Sequence, residues 1–150
     1  MTTASKTEEE VRKLSIELRY FEQTAETLQQ RVSMLNAAIT DLSYATETLD
    51  NIEKEKENAE MLVPIGGGNY ASVKLANPDK VVVGMGAGVS IEKTLPEAKT
   101  IVKERLEELQ KTQVSAQQQL IQIAERINQD RNRMENLLAG MREGQQQPHV

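Results

Sequence analysis

The sequence has no cysteine and no tryptophan, and only one phenylalanine (Phe21) and three tyrosines among 150 residues. Without cysteine there is neither a disulfide framework nor a cysteine-based metal site, and a reducing compartment is compatible. Aromatic residues at 3% give too little bulky side-chain mass for a thick globular core. The single histidine, His149, lies in the polar end Gly144-Gln-Gln-Gln-Pro-His-Val150, which offers neither a metal site nor a general base. No run of about 18 apolar residues exists, so no transmembrane helix is expected. The start, MTTASKTEEEV, lacks the apolar core of a secretory signal, and the expected location is the cytoplasm. Net charge is −5 with a pI near 5.1, and no basic face emerges to neutralise phosphates, so nucleic acid is not an expected partner.

What the chain does have is two long heptad stripes. The first runs Val11, Leu14, Leu18, Phe21, Ala25, Leu28, Val32, Leu35, Ile39, Leu42, Thr46, Leu49. The second runs Val102, Leu106, Leu109, Gln113, Ala116, Leu120, Ile123, Ile127, Asp130, Met134, Leu137, Met141. Steps alternating between 3 and 4 average 3.5 residues, which keeps one seam facing a partner helix. Thr46 breaks the apolar character of the first seam, and the second is interrupted by Gln113 and Asp130, which more often set register or oligomer choice than anything catalytic. The similar lengths of the stripes predict an antiparallel pair, with Leu49 near Val102 and Val11 near Met141. The expected fold is mainly α with a small β part, a single unit built as a long antiparallel coiled-coil hairpin.

The first helix is expected over about 8–57 and the second over 94–141, with 1–7 frayed and 142–150 a disordered tail. At about 1.5 Å per residue the first helix would reach roughly 75 Å. Thr94 and Glu97 stand at capping-box spacing, and Pro96 suits a first helical turn. Between the helices, residues 61–93 read as four short strands. The runs Met61–Ile65, Tyr70–Leu75, Val81–Met85 and Val89–Lys93 are separated by Gly66-Gly67-Gly68-Asn69, Asn77-Pro78-Asp79-Lys80 and Gly86-Ala87-Gly88. They form two β-hairpins, with Pro64 confined to an edge or strand end. Hairpins with no helix packed over them bury too little to stand alone, and their open edges invite other chains. The strands are therefore expected to complete a sheet or barrel with other subunits, with Ile65, Val73, Leu75, Val81, Val83, Met85, Val89 and Ile91 on its buried face.

No catalytic constellation accompanies this frame. Gly84-Met-Gly86-Ala-Gly88 lacks the spacing of a nucleotide loop and leads into β-type residues rather than a helix N-terminus. Carboxylates are many, but they fall on outer helix faces, and none pairs with another against an apolar pocket. The expectation is no enzyme and no cofactor. Met134, Leu137, Leu138 and Met141 make an apolar cluster near the end of the second helix, opposite Val11, Leu14, Leu18 and Phe21. These eight are either the last seam layers or an exposed, adaptable apolar tip, methionine being flexible and polarizable.

The segments MLVPIGGGNYASVKL and NPDKVVVGMGAGVSIEKTLPEA, set between the two heptad stripes, resemble the α-class subunits of prefoldin. The resemblance extends over about 8–141 and is most specific over 61–97, where two hairpins rather than one mark the α class. It implies a hexamer of two α-class and four β-class subunits with a double β-barrel body and hanging coiled coils. It further implies an ATP-independent co-chaperone, a holdase that binds unfolded or nascent proteins at the coiled-coil tips and passes them to a group II chaperonin. The implied partners are β-class prefoldin subunits, non-native client proteins and that chaperonin, with no nucleic acid and no membrane. A structural coiled-coil scaffold or a filament-forming prefoldin-like protein shares the same pattern and is the alternative.

Overall fold

A computed structural model describes residues 2–146. The element order is α1 (Thr3–Glu53), β1 (Glu60–Gly66), β2 (Asn69–Lys74), β3 (Lys80–Gly86), β4 (Val89–Thr94) and α2 (Leu95–Gln146). The chain is thus mainly α with two small antiparallel hairpins, β1 paired with β2 and β3 with β4. It divides into two compact units. One holds the chain up to Leu35 together with Thr112 onward, and the other holds Asn36–Lys111.

In the first unit the two helices run antiparallel. Glu10 pairs with Arg133, and one heptad further along α1 Glu17 pairs with Arg126, one heptad back along α2. The seam between them is the heptad stripe. Leu14, Leu18, Leu28, Ala116 and Ile127 are buried, and the other stripe positions of this unit are half-buried, apart from the polar Asp130, which is buried too. Packing along a two-in-seven stripe gives a thin apolar line rather than a thick core. Consistent with that, no large side chain among the described residues is fully shielded from solvent.

In the second unit the core is Leu49, Ile52, Val83, Leu95, Ala98 and Val102, with Leu42, Ala45, Met61, Leu75, Val81 and Ile101 packed around it. Leu49 and Val102 meet here. Lys99 ties the helices together by pairing with Asp50 at 2.9 Å and with Glu53. The hydrogen bond to Glu53, then that to Asp50, raises the Lys99 pKa above its ordinary value.

Both helices differ in extent from the sequence expectation. α1 begins at Thr3 rather than near residue 8, because the Thr2 carbonyl accepts from Ser5 and Lys6 and starts the first turn. It ends at Glu53 rather than near 57. There the Lys54 and Glu55 amides turn to carbonyls three residues back, and Asn58, at φ 65°, donates to the Leu75 carbonyl at 2.7 Å. Residues 54–57, which helical periodicity assigns to α1, instead form turns and irregular backbone ahead of the hairpin. α2 runs on to Gln146 instead of stopping at Met141, since Gly140 and Gly144 are tolerated within it. Of the residues expected to form a tail, 147–150, including His149, lie outside the described residues.

Thr94 caps α2. Its hydroxyl accepts from the Glu97 amide and the Glu97 carboxylate accepts from the Thr94 amide, both at 3.4 Å. Each hairpin closes through two central residues with positive φ, Gly67 (59°) and Gly68 (79°) in one, Ala87 (51°) and Gly88 (76°) in the other. That backbone hand matches the twist of the flanking strands and explains glycine at three of the four positions.

Candidate functional site

Two surfaces follow from this frame: the hairpin faces in the second unit and the helix ends in the first.

The hairpins are not alike. In β3–β4, Val81 and Val83 share a face with Ile91 and Lys93 across the ladder. That face turns onto the chain's own helices, leaving Val83 only 7% exposed within the core and Val81 half-buried beside it. The expectation of hairpins with no helix over them is therefore corrected for this one. Arg105 of α2 holds it further, donating to the Gly84 carbonyl at 2.7 Å and reaching the Met85 sulfur at 3.7 Å. The opposite face carries Val82, 72% exposed, and the strand ends carry exposed Met85 and Val89.

β1–β2 is held less closely. Met61 and Leu75 pack against the core, while Val63 and Val73, on the Met61 side of the ladder, remain exposed. On the other side Leu62 is 69% and Tyr70 61% exposed, and Ile65, at the register shift between Pro64 and Gly66, is 67% exposed. Of the eight hairpin residues singled out in the sequence, Ile65, Val73, Met85, Val89 and Ile91 are thus exposed apolar surface, whereas Val83 is core and Leu75 and Val81 flank it. Sequence reasoning missed Leu62, Tyr70 and Val82. The signal was present, because unbroken apolar runs such as Met61–Ile65 and Val81–Val83 fit strands covered on both faces.

At the helix ends seven of the eight singled-out residues take seam positions, and Leu138 lies off the seam. Leu14 and Leu18 are buried, Val11, Phe21, Met134, Leu137 and Met141 half-buried, and Leu138 alone is exposed. Flanking ion pairs bracket them: Arg126 with Glu17 at 2.7 Å, Arg131 with Glu22 at 2.7 Å, and Arg133 with Glu10. Arg126 also stands 5.9 Å from the Phe21 ring centroid, and its pKa is raised, first of all by the hydrogen bond to Glu17. From Leu137 onward an open groove of about 440 Å³ is lined by Thr3, Ala4, Thr7 and Glu8 on α1 and by Leu137, Gly140, Met141 and Gly144 on α2. The second helix thus reaches past Val11 to the first turns of α1.

Among the described residues there is no group of three or more His, Cys, Asp or Glu side chains able to hold a metal. No helix among them is long and apolar enough to cross a membrane.

The family model for prefoldin subunits matches residues 21–139, which takes in most of both helices and both hairpins. The chain belongs to the prefoldin family. Among its relatives is prefoldin subunit alpha of Methanosarcina barkeri, 38% identical over an alignment of 107 residues, which covers 69% of this chain and 74% of that one. Prefoldin subunit alpha of Pyrococcus horikoshii is 31% identical across 80% of this chain and 82% of its own. That of Nitrosopumilus maritimus is 29% identical across 85% and 97%. A cryo-EM structure of filamentous PFD from Methanocaldococcus jannaschii superposes with a TM-score of 0.63 at 25% identity, covering 75% of this chain and 93% of that one. Prefoldin is a family of chaperones rather than of enzymes, and the two-hairpin, two-helix frame matches its fold.

Proposed function

We infer that this chain is the α-class subunit of a prefoldin hexamer, two α-class with four β-class copies, that holds non-native proteins without ATP and hands them to a group II chaperonin in the cytoplasm. The observation that carries the reading is the family match across the hairpins and both helices, joined to relatives that are themselves prefoldin subunits alpha. In this reading the exposed apolar hairpin faces, with Ile65, Val73, Met85, Val89 and Ile91 and the added Leu62, Tyr70 and Val82, build the inter-subunit barrel. Strand edges without cover and apolar residues on both faces favour such a role. The helix ends, Val11, Leu14, Leu18, Phe21, Met134, Leu137, Leu138 and Met141, take up apolar client segments. Several weak sites on one assembly gain from effective concentration, and weak sites release by competition, so the scheme calls for no nucleotide.

Removing residues 1–21 and 134–150 tests it. The trimmed chain assembles with β-class subunits but no longer keeps a denatured protein from aggregating. Full protection by the trimmed assembly would contradict the placement of the client site. The likeness to filamentous PFD favours a second reading, a filament-forming scaffold. It predicts a particle mass that grows with concentration, where a hexamer gives one fixed mass.

A further inference from the structure

The helix ends present a difficulty for client capture, because most of their apolar residues are shut in the seam. Two features of α2 weaken the seam there. The first is Asp130, which takes a seam position between Ile127 and Met134 and is only 4% exposed. Its Oδ2 has no hydrogen-bond partner among the described residues. Its Oδ1 lies 3.4 Å from Nε of Arg126, but the Nη2 of that arginine is directed to Glu17 at 2.7 Å, so the cation is shared. The second is the open groove farther along. Small side chains of Thr3, Ala4 and Thr7 face Gly140 and Gly144, and a Cβ added at either glycine meets nothing within 4 Å.

These features act in one direction. A buried carboxylate with an unpaired oxygen is penalised while the seam is shut and regains water when it opens. An underfilled groove loses few contacts on opening. Exposing Met134, Leu137 and Met141 is thereby offset in part by hydration of Asp130.

We propose that Asp130 is a built-in fault in the seam, at which α2 from about Met134 onward parts from α1 and admits an apolar segment of a non-native protein between Met134, Leu137, Met141, Val11 and Leu14. This inference rests on the chaperone reading above. Arg133 with Glu10 is the ion pair beyond the fault and acts as its latch. The open form is polar at its base and methionine-rich along its walls, which suits varied apolar segments over one fixed shape.

Two variants of the full chain, each assembled with β-class subunits, test the fault. Asp130→Leu fills the seam with an apolar side chain, and amide exchange over 134–141 slows on the order of tenfold, as expected when the penalty on the shut state is removed. The pair Thr7→Cys with Gly140→Cys is unique in a chain without cysteine and is joined by a short bis-maleimide. The joined form loses protection of a denatured client, and the same variant left unjoined keeps it. Undiminished protection by the joined form, or unchanged exchange in Asp130→Leu, overturns the proposal. If the unaltered complex protects no client, the chaperone reading fails instead, and the exchange result alone decides the fault.

Discussion

Val83 shows how a single side chain separates folding from assembly. Alternation along Val81-Val82-Val83 is legible in the sequence as two faces, but which face meets the chain's own helices is not, since that depends on how the hairpin leans on α2. Arg105 supplies the lean by holding the Gly84 carbonyl, an interaction between residues 21 apart that no local pattern announces. Val83→Asp therefore puts a charge into the subunit core, and we expect a loss of about 2–4 kcal/mol in urea unfolding of the subunit alone. Leu62→Ser, at an exposed site, changes that unfolding by less than about 0.5 kcal/mol yet weakens association with β-class subunits, as read by analytical ultracentrifugation. A destabilised Leu62→Ser monomer would show that Leu62 is held within the chain. Lys99 adds a pH dependence. Its folded pKa is raised above 10.5 by Glu53 and Asp50, so its contribution is whole below that value and is lost as pH climbs through the higher folded value. Lys99→Met flattens the alkaline limb of a melting-temperature profile, and an unaltered limb would exclude this pair as its source.

Among the elements, α2 was the most legible. Thr94, Pro96 and Glu97 mark its start chemically, and the structure places the cap where those residues stand. Thr94→Ala removes one partner of the box and costs about 1 kcal/mol, measurable by thermal unfolding of the subunit. The seam positions were legible for the same reason, because a 3.5-residue period permits one buried line and each stripe residue is buried or half-buried. The helix termini were not. α1 stops at Glu53 because the Asn58 amide finds the Leu75 carbonyl, a partner 17 residues away, despite a charged helical pattern that continues to Glu57. Likewise α2 passes Gly140, since a single glycine costs a helix only about 1 kcal/mol.

At the scale of the molecule, apart from single exposed side chains on the outer helix faces such as Ile16, Met34 and Ile121, apolar residues gather in two kinds of place. Hairpin faces lie open on a frame fixed by a compact core, whereas the seam at the helix ends is shut but flawed. The first arrangement suits a permanent partner of matching strands, and the second a transient partner of no fixed shape. Charged pairs flanking the end seam are largely exposed, so they set alignment more than stability. The most direct measurement is light scattering from a chemically denatured protein diluted, without nucleotide, into the full chain co-assembled with a single-hairpin β-class subunit. Scattering held near baseline at stoichiometric complex is the result this account predicts. Scattering that rises as fast as in buffer, from a complex shown intact by its mass, would contradict it and leave the scaffold reading in its place.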